Sequence, residues 1–222
     1  MTTPDSPVIA IDGPSASGKG TVALIVASSL GFHYLDSGSL YRLVALTAIR
    51  RRIGLDDASQ LGSLALDLDV RFLPDEILLC NEPVTDAIRT EEVSIAASRV
   101  AAFTSVRSGL LTRQRGFRRP PGLVAEGRDM GSVVFPDADL KIFLTASAES
   151  RAGRRYNQLK EKGIADTLQN LLKDLRERDA RDAARSVAPL KQCPDARLLD
   201  TTAMSAKEAA DRILAWYRGA NG

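Results

Sequence analysis

Residues 8–21 read Val-Ile-Ala-Ile-Asp-Gly-Pro-Ser-Ala-Ser-Gly-Lys-Gly-Thr. An apolar strand runs into a glycine-bounded loop and then a lysine. A helix follows, with one apolar face carried by Val22, Ala23, Ile25, Val26 and Leu30 and closed by Gly31. Strand, loop and helix in this order are the setting of a phosphate-binding loop. Gly13 and Gly18 free the backbone for φ values that a side chain disfavours. Several N–H groups can then face one anion, and the helix start adds unpaired N–H groups and its dipole. Lys19 supplies a mobile positive charge for β- and γ-phosphates, and a nearby hydroxyl serves Mg²⁺. The match to G-x-x-x-x-G-K-[ST] is incomplete, because Gly20 follows the lysine and the hydroxyl comes one place later, as Thr21. A glycine-rich turn that binds nothing is the alternative reading.

Bulk properties narrow the class without choosing within it. The 222 residues can bury a full core as one domain with excursions. A net charge of +2 argues against a global field for nucleic acid or an anionic membrane. No apolar stretch is long enough to span a bilayer and no signal-peptide core precedes residue 8, which points to the cytoplasm. Cys80 and Cys193 are isolated, and His33 is the only histidine. Disulfide frameworks, His-based zinc sites and Ser-His-Asp triads are therefore disfavoured.

Strands are expected at 7–12, 33–35, 122–126, 139–144 and 197–200. Helices are expected at 19–30, 38–52, 57–66, 90–103, 105–118, 147–161, 165–183 and 205–218. Alternating strands and helices imply a mostly parallel sheet, with ligands at the carboxyl ends of its strands. Residues 68–88 break the pattern. Turns at Asp75-Glu76 and Asn81-Glu82-Pro83 suggest a small antiparallel meander, either a surface excursion or part of a substrate region.

Three further clusters carry chemistry. Segment 151–185 holds seven arginines, three lysines and six acids. It reads as a solvated pair of charged helices or as a lid that brings guanidinium groups onto a polyphosphate. Ser37, Tyr41 and Arg42 open a helix after the second strand; Ser37 is an N-cap or part of a phosphate pocket. Glu126-Gly-Arg-Asp-Met-Gly131 follows the apolar strand that ends at Ala125. A carboxylate there can hold Mg²⁺ through water, while Arg128 and Asp129 form either a local ion pair or part of a site.

Together, Ile-Asp-Gly-Pro-Ser-x-x-Gly-Lys-Gly-Thr, Asp-Ser-Gly-x-x-Tyr-Arg, Glu-Gly-Arg-Asp-Met-Gly and Arg-Asp-x-x-Arg followed by Ala-Pro-Leu resemble bacterial cytidylate kinase, over essentially the whole chain. The resemblance implies a single α/β P-loop kinase domain with a five-stranded parallel core at about 1–36, 120–150 and 190–222. It implies a monophosphate-binding region at about 37–119 containing the small antiparallel insert, and a helical lid at about 151–187. It implies transfer of the ATP γ-phosphoryl, with Mg²⁺, to CMP or dCMP in a cytoplasmic monomer that needs neither nucleic acid nor membrane.

Site roles follow from the same resemblance. Gly13, Pro14, Ser15, Ala16, Ser17, Gly18, Lys19, Gly20 and Thr21 would hold the ATP phosphates. Arg42, Arg128 and Arg185 would hold the acceptor phosphate, and Tyr41 would line its pocket. Ser37 and Asp129 would meet the cytosine amine, Ser98 and Arg107 would meet O2 and N3, and Arg178 and Asp182 would reach the ribose. Arg154 and Arg155 would steady the transferring phosphoryl. Thr21 and Glu126 are the candidates for water-mediated contact with Mg²⁺. The link Gly116-Phe-Arg-Arg-Pro-Pro121 has no evident ligand role, and its arginines are expected in solvent, though a basic patch with one aromatic could touch nucleic acid. Two other classes stay open: a P-loop kinase for UMP, AMP or shikimate, and a nucleotide-binding switch. The latter lacks an Asn-Lys-x-Asp guanine motif.

Overall fold

A computed structural model describes residues 6–73, 76–161, 163, 165–185 and 187–220. The chain separates into two compact units, residues 1–35 with 117–222, and residues 36–116.

The first unit is built on a five-stranded sheet. Strand β1 (Val8–Asp12) leads through the glycine loop into α1 (Lys19–Leu30), and β2 (His33–Asp36) follows. Every residue of β1 is buried. A continuous Val-Ile-Ala-Ile run suits a strand covered on both faces. Helix α1 stops at Gly31, whose φ of 67° is the left-handed conformation of a helix C-cap. After the second unit the chain returns as β6 (Leu123–Gly127), β7 (Leu140–Thr145), α6 (Ala148–Glu161), α7 (Leu168–Ala183), β8 (Arg197–Asp200) and α8 (Ala206–Ala220). The strand order is β2-β6-β1-β7-β8, and β1 pairs in parallel with both β6 and β7. Ile9, Ile11, Val22, Val26, Val124, Ile142, Leu144 and Ile213 form the core of this layer. Each fully buried aliphatic side chain there contributes about 1.5–3 kcal/mol relative to exposure. The sheet thus brings the carboxyl ends of β1 and β6 side by side, with Ile11 opposite Glu126 and Asp12 opposite Gly127.

The second unit contains α2 (Ser37–Arg50), α3 (Ala58–Leu66), the short strands β3 (Val70–Phe72), β4 (Ile77–Leu79) and β5 (Glu82–Pro83), then α4 (Glu91–Val100) and α5 (Thr104–Arg115). The three short strands form their own antiparallel sheet. The expected meander is therefore present, but its last part is a single tight helical turn, Ala87–Arg89, rather than extended chain. Asp75 of the expected Asp75-Glu76 turn lies outside the described residues, as do Lys162, Ile164 and Ser186 of the expected lid.

Several local expectations need correction. Ser37 does not cap α2. Asp36 does, accepting from the Ser39 amide, because its carboxylate sits one residue before the first helical turn, whereas Ser37 is already inside it. Helix α5 ends at Arg115 rather than 118, and α4 at Val100 rather than 103. Arg118 is not a solvated arginine: it donates to the Ser6 carbonyl and pairs with Asp137. A wide helical turn at Met130–Val134, unforeseen in the sequence, follows β6.

Candidate active site

The glycine loop starts where β1 ends. A Cβ on Gly13 would lie 2.0 Å from the Leu144 carbonyl oxygen, so no other residue fits beside β7. Gly18 occupies the N-cap of α1 with φ 91°, again a conformation that glycine takes without penalty. The loop therefore closes against the sheet and ends with the amides of α1 lacking intrahelical acceptors. Lys19 is buried and its ammonium donates to the Pro14 carbonyl at 3.1 Å, arching across the loop. The Ser17 hydroxyl is buried with no hydrogen-bond partner within the protein. Burying an unmet hydroxyl is costly, and an anion in the loop would satisfy it.

Glu126 stands next to the last residue of β6, beside this loop. Its carboxylate stands 3.8 Å from the Lys19 ammonium and accepts from the Tyr34 hydroxyl at 3.0 Å. A Cβ on Gly20 would lie 2.9 Å from Glu126 Oε1. Glu126 thus fills the space that a hydroxyl side chain directly after the lysine would need, which explains why glycine stands there. Thr21, one place later, is exposed on α1. Among the described residues, no three His, Cys, Asp or Glu side chains gather into a metal cage. A divalent ion here fits the donor set Mg²⁺ prefers, phosphate oxygens and water with one carboxylate, and the notch at Gly20 leaves Glu126 room for it.

Helix α6 sends two arginines to the loop. Arg154 donates to the Ser17 carbonyl at 2.9 Å and to the Thr201 carbonyl. Arg151, not among the sequence candidates, is buried, donates to the Ala146 and Ser15 carbonyls, and pairs with Asp179 of α7 at 2.6 Å. Arg155 is half-buried. The charged segment is thus not simply solvated: two of its guanidinium groups hold the outer carbonyls of the glycine loop.

A second cluster lies after β6. The nearest acid that holds Arg128 is not its neighbour Asp129 but Asp182 of α7, whose Oδ2 accepts from Arg128 Nε at 2.9 Å. Arg185 pairs with the other Asp182 oxygen at 2.5 Å. Burial alone would raise the Asp182 carboxyl, but the guanidinium groups of Arg128 and Arg185 outweigh it and hold the carboxyl below its ordinary range. Arg178 is half-buried on the same helix. Asp129 is buried at the start of the Met130–Val134 turn.

In the second unit, Arg107 is buried, donates to the Ala101 carbonyl at 2.8 Å and stacks on the Tyr41 ring, 5.6 Å from its centroid. Both groups are thereby fixed in orientation. Arg42 pairs with Asp36 at 3.4 Å. Ser37 is buried, and the Ser98 hydroxyl is buried with no hydrogen-bond partner within the protein.

A family model described as cytidylate kinase matches residues 9–219. The chain belongs to the cytidylate kinase family. A protein named cytidylate kinase from Burkholderia pseudomallei (strain 1106a) is 56% identical over 213 residues, 96% of this chain and 93% of that protein. A second of that name, from Burkholderia ambifaria (strain MC40-6), is 56% identical over the same shares. Among solved structures, an uncharacterized protein from Eubacterium ventriosum matches with a TM-score of 0.54 at 12% identity, over 96% of this chain and 99% of that one. That likeness shows the fold alone. Three residues have tasks that no local motif reveals. Asp12, Tyr34 and Arg151 each act on a partner distant in sequence. Only the Ile-Asp preceding the glycine loop was visible as part of a motif.

Proposed function

We propose that this protein transfers the γ-phosphoryl of ATP to CMP or dCMP, giving ADP and the diphosphate. The observation that carries the reading is the buried Lys19–Glu126 pair at the joined ends of β1 and β6, set beside a loop whose Ser17 hydroxyl lacks a protein partner. Family membership narrows the acceptor to cytidine monophosphates. Residues 13–21 hold the ATP phosphates, and Lys19 neutralises the β- and γ-oxygens. Arg154 and Arg155 add charge where it develops in the transition state. Mg²⁺, held by the phosphates and through water by Glu126, would draw charge from the β- and γ-oxygens; Thr21 is the other candidate for that water shell.

Arg128 and Arg185 hold the acceptor phosphate, with Asp182 keeping both guanidinium groups aligned and Arg178 directed to the ribose. Asp129 accepts from the exocyclic amine. In the second unit, Ser37, Tyr41, Arg42, Ser98 and Arg107 take the acceptor roles given above. The acceptor is already an anionic phosphate, so no general base is needed. Catalysis is in-line positioning with charge neutralisation. The protein works as a monomer in the cytoplasm without nucleic acid.

A coupled ADP assay with CMP, dCMP, UMP, AMP and shikimate tests the reading. ADP release should require CMP or dCMP and match the diphosphate formed. Preference for another acceptor, or slow ADP release independent of any acceptor, would overturn it.

A further inference from the structure

Asp12 belongs to the run that opens the glycine loop, yet nothing in phosphate binding uses its side chain. It is buried at the end of β1 in the middle of the sheet. Its Oδ1 accepts from the Met130 amide and its Oδ2 from the Gly131 amide, both at 2.8 Å. Those amides are the first two of the Met130–Val134 turn, and amides in that position have no acceptor inside their own helix. Asp129 stands at the N-cap of the turn but makes no capping bond with its side chain. The cap comes instead from a different strand, 118 residues earlier in the chain. The Asp129 carboxylate is therefore not consumed in closing its own turn, the usual fate of an aspartate in that position.

The same residue fixes the other side of the segment. Asp12 stands opposite Gly127 in the β1–β6 ladder, and the next amide, Gly13, donates to the Gly127 carbonyl. Arg128 and Asp129 are thus the two residues between two anchors, one through the main chain at Asp12 and one through its carboxylate. A Cβ on Gly131 would press within 3.2 Å of the Lys141 side chain, while its 3.5 Å distance to Asp12 Oδ2 would be ordinary contact.

We propose that Asp12 is a positioning residue for acceptor choice, capping the 130–134 turn across the sheet so that Arg128 and Asp129 are presented in one fixed geometry. The inference rests on the reading of Arg128 and Asp129 as acceptor contacts. Asparagine in place of Asp12 keeps the volume and one acceptor, but sets an N–H₂ group against one of the two amides. In Asp12→Asn the KM for CMP should rise about tenfold, as expected for loss of one charge-assisted bond. The CMP-over-UMP ratio in kcat/KM should fall with it, and the KM for ATP should stay within about twofold, the split that separates this role from damage to the phosphate loop. Unchanged CMP KM and CMP/UMP ratio, or equal losses toward ATP and CMP, would overturn the proposal.

Asp129→Ala is measured alongside. If that variant keeps the wild-type CMP/UMP ratio, the acceptor reading itself is wrong. If it lowers the ratio while Asp12→Asn does not, only the role of Asp12 falls. Should Asp12→Asn not fold, hydrogen exchange on the wild type decides. The Met130 and Gly131 amides should be protected in the free protein and gain protection with CMP but not with ATP alone. Unprotected amides, or amides that ignore CMP, reject the proposal.

Discussion

In the proposed reading, the glycine loop and the arginine cluster after β6 both bind phosphate charge, and they are built by different means. The loop is a local device. Its turn comes from residues 13–21, from two glycine conformations and from one lysine arching back five residues to Pro14, with Arg151 and Arg154 bracing its outer carbonyls from α6. The cluster is assembled at a distance: Arg128 meets Asp182 across 54 residues, and Asp12 caps the 130–134 turn across 118. A device shaped chiefly by neighbouring residues fails first through change within itself. An assembled cluster fails whenever any of its distant members is removed. If the comparison holds, damage to the loop appears in kcat, and damage to the cluster appears in the KM for the acceptor.

The largest effect is expected at Lys19. Lys19→Met leaves the migrating phosphoryl poorly neutralised and should lower kcat by about a hundredfold or more, with the melting temperature near that of wild type. Near-normal turnover in a folded variant would break the loop half of the comparison. Next comes Asp182→Ala, which leaves two guanidinium groups without their carboxylate. Loss of one partner from a buried ion-pair network costs about 3–5 kcal/mol. The variant should melt lower and bind CMP at least about tenfold more weakly, while its KM for ATP changes little. Equal weakening toward both nucleotides would merge the two regions into one.

Motion sharpens the contrast further. Segment 151–185 touches the loop through Arg151 and Arg154, and Arg128 through Asp182. Its hydrogen exchange should slow when ATP analogue and CMP are added together. Unchanged protection would count against a lid.

The smallest effect concerns pH. Burial raises the Asp12 carboxyl from 3.8 to about 6, partly offset by the Gly131 and Met130 amides. Its folded value lies above its unfolded one, so the folded state binds the extra proton. Wild type therefore gains stability from this group as pH falls through 6, by about 1 kcal/mol between pH 7 and 5. Asp12→Asn cannot titrate, so the wild-type advantage in melting temperature should grow by a few degrees over that range. A flat difference would mean an ordinary carboxyl.

The same division explains what could be read from the residues alone. The strand, the loop and α1 were legible because glycines, an apolar run and a helix period all act on neighbouring residues, from Val8 to Gly31. The parallel sheet was legible from alternating elements, and the meander from its turn residues. Residue types alone leave Ser37 open as a cap because Asp36 beside it competes for the same amide, and only the helix start decides between them. Sequence adjacency pairs Arg128 with Asp129, while the acid that holds it comes from α7. Arg151 carried no signal distinguishing it from the other arginines of its helix, since its burial depends on the loop it props. Asp12 was visible in a motif, but its task depends on β6 lying next to β1.

Base choice tests the whole account most directly. Cytosine offers an amine donor and an N3 acceptor, and uracil reverses both. Asp129 as a carboxylate only accepts, and Arg107 only donates. Two reversed bonds of about 1–3 kcal/mol each predict a CMP-over-UMP preference of at least tens-fold in kcat/KM. The decisive measurement is that ratio in wild type and in Asp129→Ala. The account predicts a large wild-type ratio that narrows sharply in the variant, which loses a repulsive contact along with an attractive one. A ratio that Asp129→Ala leaves unchanged would contradict it.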